Sequence, residues 1–169
     1  MASLRELPKA GLGLLLLLAA LPAAAQQART ARVIDIVHMG GNDCPPCVEW
    51  RRTELPKLQA SPEYKAIRFT HVTKSIKSTV PPELFFPSEV KHLQGTLKEA
   101  SNGLSGSPHQ AILVDGKLVD YWFGTTKGSA EELEKMVRAI QAGNTLPRPT
   151  CVKLKTSSKC DVAGPAKIS

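Results

Sequence analysis

Aromatic residues are scarce in this chain, at 5% of 169 residues. None is interleaved with the basic side chains, and no basic helix face can be drawn, so the net charge of +7 leaves no footprint for a nucleic acid or an acidic membrane. Instead it reads as a soluble basic surface, with lysines crowded in the tail (Lys153, Lys155, Lys159, Lys167). The apolar run Leu12 to Leu21 is well short of the roughly 20 residues that span a bilayer, so no stable membrane anchor is expected. There is no internal repeat and no dimerisation segment, which favours a monomer. Cysteine is sparse, with four residues, and none sits where a lipoprotein would be processed.

What is present begins with a leader. Arg5 and Lys9 precede the apolar run, and Ala23-Ala24-Ala25 follows it. This is the pattern of a secretory signal peptide over residues 1–25, cleaved after Ala25, with Ala28 as second choice. The expected location is outside the cytoplasm, in a periplasm, where disulfides persist. Residues 26–169 suffice for one domain with its own core. All four cysteines fall there, as the pairs Cys44/Cys47 and Cys151/Cys160.

Arg32 to Met39 reads as a strand with apolar residues in both parities, hence central and buried on both faces. A loop, Gly40 to Asp43, leads to Cys44. Pro46 to Ala60 reads as a helix with Val48, Leu55 and Leu58 on one side and a kink at Pro56. Ile67 to Val72 is a second strand, and Lys74 to Pro82 a loop. Ser88 is placed as the cap of a helix from Glu89 to Ala100, with Val90, Leu93 and Leu97 inward. Gln110 to Val114 and Lys117 to Phe123 form a hairpin around Asp115-Gly116. Ser129 to Glu132 is a capping box opening a helix with Leu133, Met136, Val137 and Ile140 on one face, ended by Gly143. The order implies an α/β fold: a βαβ unit, then ββα, around a mixed four-stranded sheet with flanking helices.

Cys44-Pro45-Pro46-Cys47 is the motif that carries chemistry. Two cysteines with two residues between them can close a disulfide or share a metal. Here the pair lies where a strand feeds a helix start. With Pro108 directly before the hairpin and a capped last helix, the chain resembles the thioredoxin superfamily over about residues 31–143. The resemblance implies a thioredoxin-like domain, a Cys44/Cys47 redox dithiol, and a cis Ser107-Pro108 bond facing it. It also implies thiol–disulfide exchange that needs no cofactor and no metal. The partners implied are protein or small-molecule disulfides or dithiols, and a partner that recycles the pair. Cytosolic members usually carry Trp before the first cysteine and Gly-Pro between the two; here those neighbours are Asp43 and Pro45-Pro46. The family's buried acid falls on His38.

In that chemistry Cys44, outside the helix start, is the expected attacker, and Cys47, inside the first turn and more buried, resolves the mixed disulfide. Pro45 and Pro46 remove two N–H donors that would stabilise a Cys44 thiolate, and Asp43 adds a like charge. Arg51 and Arg52 lie too far along the helix to offset this. A reducing or weakly oxidising couple follows. His38 is a candidate proton acceptor for Cys47, against the plainer reading of a hydrogen-bonded core histidine. His109 reads as a surface histidine. Cys151 and Cys160 read as a structural disulfide stapling the tail, residues 144–169, with a second redox pair as the other reading. The competing function is a metal-handling or protein-binding module without turnover. Cys44, Cys47 and a histidine could hold Cu(I) or Zn, yet copper-delivery members of the fold space their cysteines by three residues.

Overall fold

A computed structural model describes residues 32–125 and 128–144. The leader expected over residues 1–25, the residues around Ala28 and the Cys151/Cys160 pair lie outside the described residues. The elements run β1 (Ile34–Met39), α1 (Pro45–Ala60), β2 (Ile67–Val72), α2 (Gln94–Ser101), β3 (His109–Val114), β4 (Lys117–Phe123) and α3 (Ala130–Gln141), with short 3₁₀ turns before β2 and α2. The sheet order is β2-β1-β3-β4. β1 pairs parallel with β2 and antiparallel with β3, and β3 pairs antiparallel with β4. The fold is therefore α/β with a four-stranded mixed sheet.

β1 is buried along its whole length because it is central and covered on both faces. Its alternating side chains serve two cores. Ile34 and Ile36 join Trp50, Leu58, Ile112, Leu133, Val137 and Ile140 on the face covered by α1 and α3. Val37 and Met39 join Val90, Leu93, Leu97, Leu113 and Tyr121 on the opposite face, covered by α2 and its approach. Full burial of each such side chain contributes roughly 1.5–3 kcal/mol. His38 shares the parity of Ile34 and Ile36 and so faces α1. Asp35 is the charged exception, fully buried and held by a bidentate pair with Arg68, its register partner on β2, at 2.7 and 2.8 Å.

The turns obey local chemistry. Asp115 and Gly116 have φ of 51° and 77°, the two left-handed positions of a type I′ hairpin. The Asp115 carboxylate also accepts the Val33 N–H at 2.9 Å, pinning the hairpin to the start of β1. Ser129 caps α3 by accepting the Glu132 N–H. α1 continues through Pro56.

Three expectations need correction. The helix expected from Glu89 to Ala100 is a 3₁₀ turn, Ser88–Leu93, followed by the shorter α2. Ser88 makes no capping bond: the Pro87 carbonyl accepts the Val90 N–H at 3.1 Å, so the main chain starts the turn. Val48 is 40% exposed, while Trp50 is buried, so α1 turns a different stripe inward than Val48, Leu55 and Leu58 alone implied. The first strand begins at Ile34, two residues later than Arg32.

Candidate functional site

The site is built at one end of β1. After Met39 the chain leaves the sheet through Gly40, whose N–H still bonds to the Val72 carbonyl at 3.0 Å. It then turns at Asn42 and Asp43 into Cys44. Cys44 is the N-cap of α1, in extended conformation, and its sulfur accepts the Cys47 N–H at 3.3 Å. Pro45 and Pro46 occupy the first positions of the helix, where a missing N–H costs the helix nothing. Cys44 and Cys47 are joined by a disulfide, with an S–S distance of 2.05 Å and a Cα–Cα distance of 5.2 Å. The expected difference in burial is absent. Both cysteines are at 0% exposure, since the Cys44 side chain folds back onto the helix start instead of projecting from it.

Asp43 performs a task that the sequence did not indicate. Its carboxylate accepts the Ile76 N–H at 3.0 Å and the Ser75 hydroxyl at 2.9 Å. The Ile76 main chain first, then Ser75, hold its pKa below the ordinary value. Asp43 thus ties the dithiol loop to the loop after β2 while keeping a negative charge beside Cys44.

Pro108 precedes β3, and the Ser107-Pro108 bond is cis. His109 pairs with Met39, so Pro108 lies at the same end of the sheet from which the Gly40–Cys47 segment departs. Lys74, buried at 4% exposure, joins these pieces. Its main-chain N–H faces the Gly40 carbonyl. Its ammonium donates to the Gly106 carbonyl and to the Ser107 hydroxyl, the latter at 2.8 Å. Burial lowers its pKa to about 8, with Asp43 acting in the opposite sense.

His38 is at 0% exposure. Its ring stacks on Trp50, with centroids 4.5 Å apart, and its Nδ1 lies 3.0 Å from Nδ1 of His71, its register partner. Burial, then His71 and Arg51, lower its pKa to about 3. His71 is lowered chiefly by burial, then by Arg51. Arg51 reaches farther than expected: it contacts His71 Nε2 at 2.8 Å and donates to the Asn42 side chain at 2.6 Å. Arg52, in contrast, is taken up by Glu49. The Trp50 indole N–H donates to the Gly128 carbonyl, fixing the ring on which His38 stacks.

His109 is not a surface residue. It is at 0% exposure and bonds to the Tyr121 hydroxyl at 2.6 Å. Burial, then Lys74, lower its pKa to about 3. It projects to the α2 side of the sheet, opposite to His38.

The site therefore brings together Cys44, Cys47 and His38, and sets Pro108 at the same sheet end. Sequence reading missed Gly40, His71 and Lys74. One signal existed: two histidines at the same place in neighbouring strands, once the register is known. No set of three or more His, Cys, Asp and Glu suited to a metal occurs among the described residues, and no helix there is long and apolar enough to cross a membrane. No protein-family model, curated protein or solved structure matches this chain.

Proposed function

We propose that this chain is an exported thiol–disulfide oxidoreductase with a thioredoxin-like domain, exchanging disulfides through Cys44 and Cys47. The observation that carries the reading is the disulfide at a helix start, with the Cys44 sulfur accepting the Cys47 N–H. In the reduced protein that N–H and the helix dipole stabilise a Cys44 thiolate. The thiolate attacks a substrate disulfide, one substrate sulfur leaves as a thiolate, and Cys47 then displaces the other by attacking Cys44. No cofactor enters these steps.

The surroundings temper the thiolate. Pro45 and Pro46 give it no N–H donors, and the Asp43 carboxylate, held ionised by Ile76 and Ser75, opposes a second negative charge nearby. A less stabilised thiolate means a less stabilised reduced form, so the couple is reducing or weakly oxidising. The Gly106–Pro108 segment, clamped by Lys74, offers main-chain groups to an extended polypeptide at the mouth of the site. The leader over residues 1–25 supports work in a periplasm, where a separate redox partner recycles the pair.

Insulin reduction with dithiothreitol tests the reading. The wild type should accelerate precipitation of the insulin B chain, and Cys44→Ser should lose that activity while keeping its circular dichroism spectrum. A wild type no faster than dithiothreitol alone overturns the proposal. A reduction potential measured against glutathione then fixes the direction of flow.

A further inference from the structure

The histidine pair beside the dithiol has a defined polarity. Arg51 carries only donors, so its contact with His71 Nε2 at 2.8 Å requires a lone pair on that nitrogen. Neutral His71 therefore bears its proton on Nδ1. That N–H lies 3.0 Å from His38 Nδ1, beside the His38 main-chain carbonyl, and His38 Nδ1 is taken as its acceptor. Neutral His38 then bears its own proton on Nε2. This nitrogen is buried and has no hydrogen-bond partner among the described residues.

The His38 ring edge borders the space beside Cys47. A β-carbon placed on Gly40 would be 2.7 Å from Cys47 Sγ and 3.3 Å from His38 Cε1, the ring atom between Nδ1 and Nε2. Sulfur and ring edge thus border one small space, and only the absence of a side chain at Gly40 leaves it open. Around His38 stand Arg51 and Trp50 from α1, His71 from β2 and buried Gln110, its register partner on β3, with Cys47 across the space at Gly40. In the oxidised protein none of these is an anion, and burial holds the ring neutral.

We infer that the Arg51–His71–His38 chain locks His38 as a hydrogen-bond donor to the Cys47 sulfur, with Arg51 and His71 as positioning residues. The inference rests on the disulfide-exchange reading and gives His38 a role opposite to the proton acceptor that the sequence offered as a candidate beside a plain core histidine. In resolution, the Cys47 thiolate attacks the Cys44 sulfur. The Cys44–Cys47 bond forms, the bond from Cys44 to the substrate breaks, and the substrate sulfur leaves with the electron pair. The proton lost by Cys47 goes to solvent and is available to the departing thiolate. His38 keeps its proton throughout. It lowers the pKa of Cys47 by stabilising the anion, and does the same when Cys47 is the leaving group in the reverse direction.

The test is long-range proton–nitrogen correlation on the full-length, reduced, nitrogen-labelled protein at pH 7. It requires no variant and no turnover. His38 should show a protonated Nε2 and a bare Nδ1, and His71 the reverse. A His38 protonated on Nδ1, or doubly protonated, overturns the inference. In Arg51→Leu the His71 pattern should become mixed, and the Cys47 pKa, followed by carbon-13 at Cβ, should rise by about 1 unit, the scale of a hydrogen bond to a charged group. An unchanged Cys47 pKa together with an unchanged pattern also overturns it. Wild-type insulin reduction, measured alongside, separates the two ideas. The expected spectra without turnover remove the enzyme reading alone, and turnover with the wrong spectra removes the donor role alone.

Discussion

At Gly40 there is no room for a methyl group. The added carbon would sit 2.7 Å from Cys47 Sγ and 3.0 Å from its Cβ, and both atoms belong to a side chain held by the disulfide. Gly40→Ala should destabilise the oxidised protein by about 1–3 kcal/mol, the range for overpacking a closed site. The loss should shrink after reduction, when Cys47 is free to rotate. Urea unfolding with and without dithiothreitol reads the difference, and equal losses in both states would mean that the clash lies elsewhere. Residue identity alone did not disclose this constraint, because Gly40 looks like an ordinary loop glycine until the sulfur is placed beside it.

Elements with a clear period were legible in the sequence, and those built by exception were not. β2 spans the expected Ile67–Val72, the hairpin turn falls at Asp115-Gly116, and α3 begins at its capping box and buries the expected stripe. The stretch before α2 was misread because a 3₁₀ turn and an α-helix share the inward spacing of Val90 and Leu93. For the site, the motif gave the two cysteines and the family resemblance implied the cis bond at Pro108, but the His38–His71 contact required the β1/β2 register, which sequence does not specify. Lys74 was hidden for a similar reason: a lysine at a strand exit ordinarily reaches solvent, whereas here the loop carrying Gly106 and Ser107 folds over it. Lys74→Met should release that loop. The expected result is a several-fold higher KM for a polypeptide disulfide with little change for a small disulfide such as oxidised glutathione. A parallel loss on both substrates would place the effect at the sulfurs instead.

For the whole molecule, the buried histidines set an acid limit. His38 and His109 are each held at about 3, whereas the unfolded chain binds those protons near an ordinary value of about 6.5. Between the two values the unfolded state carries more protons, so stability falls as the pH falls. By pH 5 each histidine removes about 2 kcal/mol relative to neutral pH. His71, lowered in the same sense, adds to the slope. The urea midpoint should drop steadily from pH 7.5 to pH 5, and the double variant His38→Gln, His109→Gln should flatten the decline. A level midpoint in the wild type would mean that these rings are charged in the folded state. Such a protein is at its most secure in neutral surroundings and loses its margin in acidified ones. Trp50 makes the dithiol visible from outside. Its indole is three residues from Cys47 on α1, stacked on His38 and anchored to Gly128, so its emission belongs to the surroundings of the sulfurs. Trp122 lies on β4, with β3 between it and β1. Reduction should therefore change the fluorescence of Trp122→Phe as much as that of the wild type, which would let the potential of the dithiol be titrated with light alone and no attached dye.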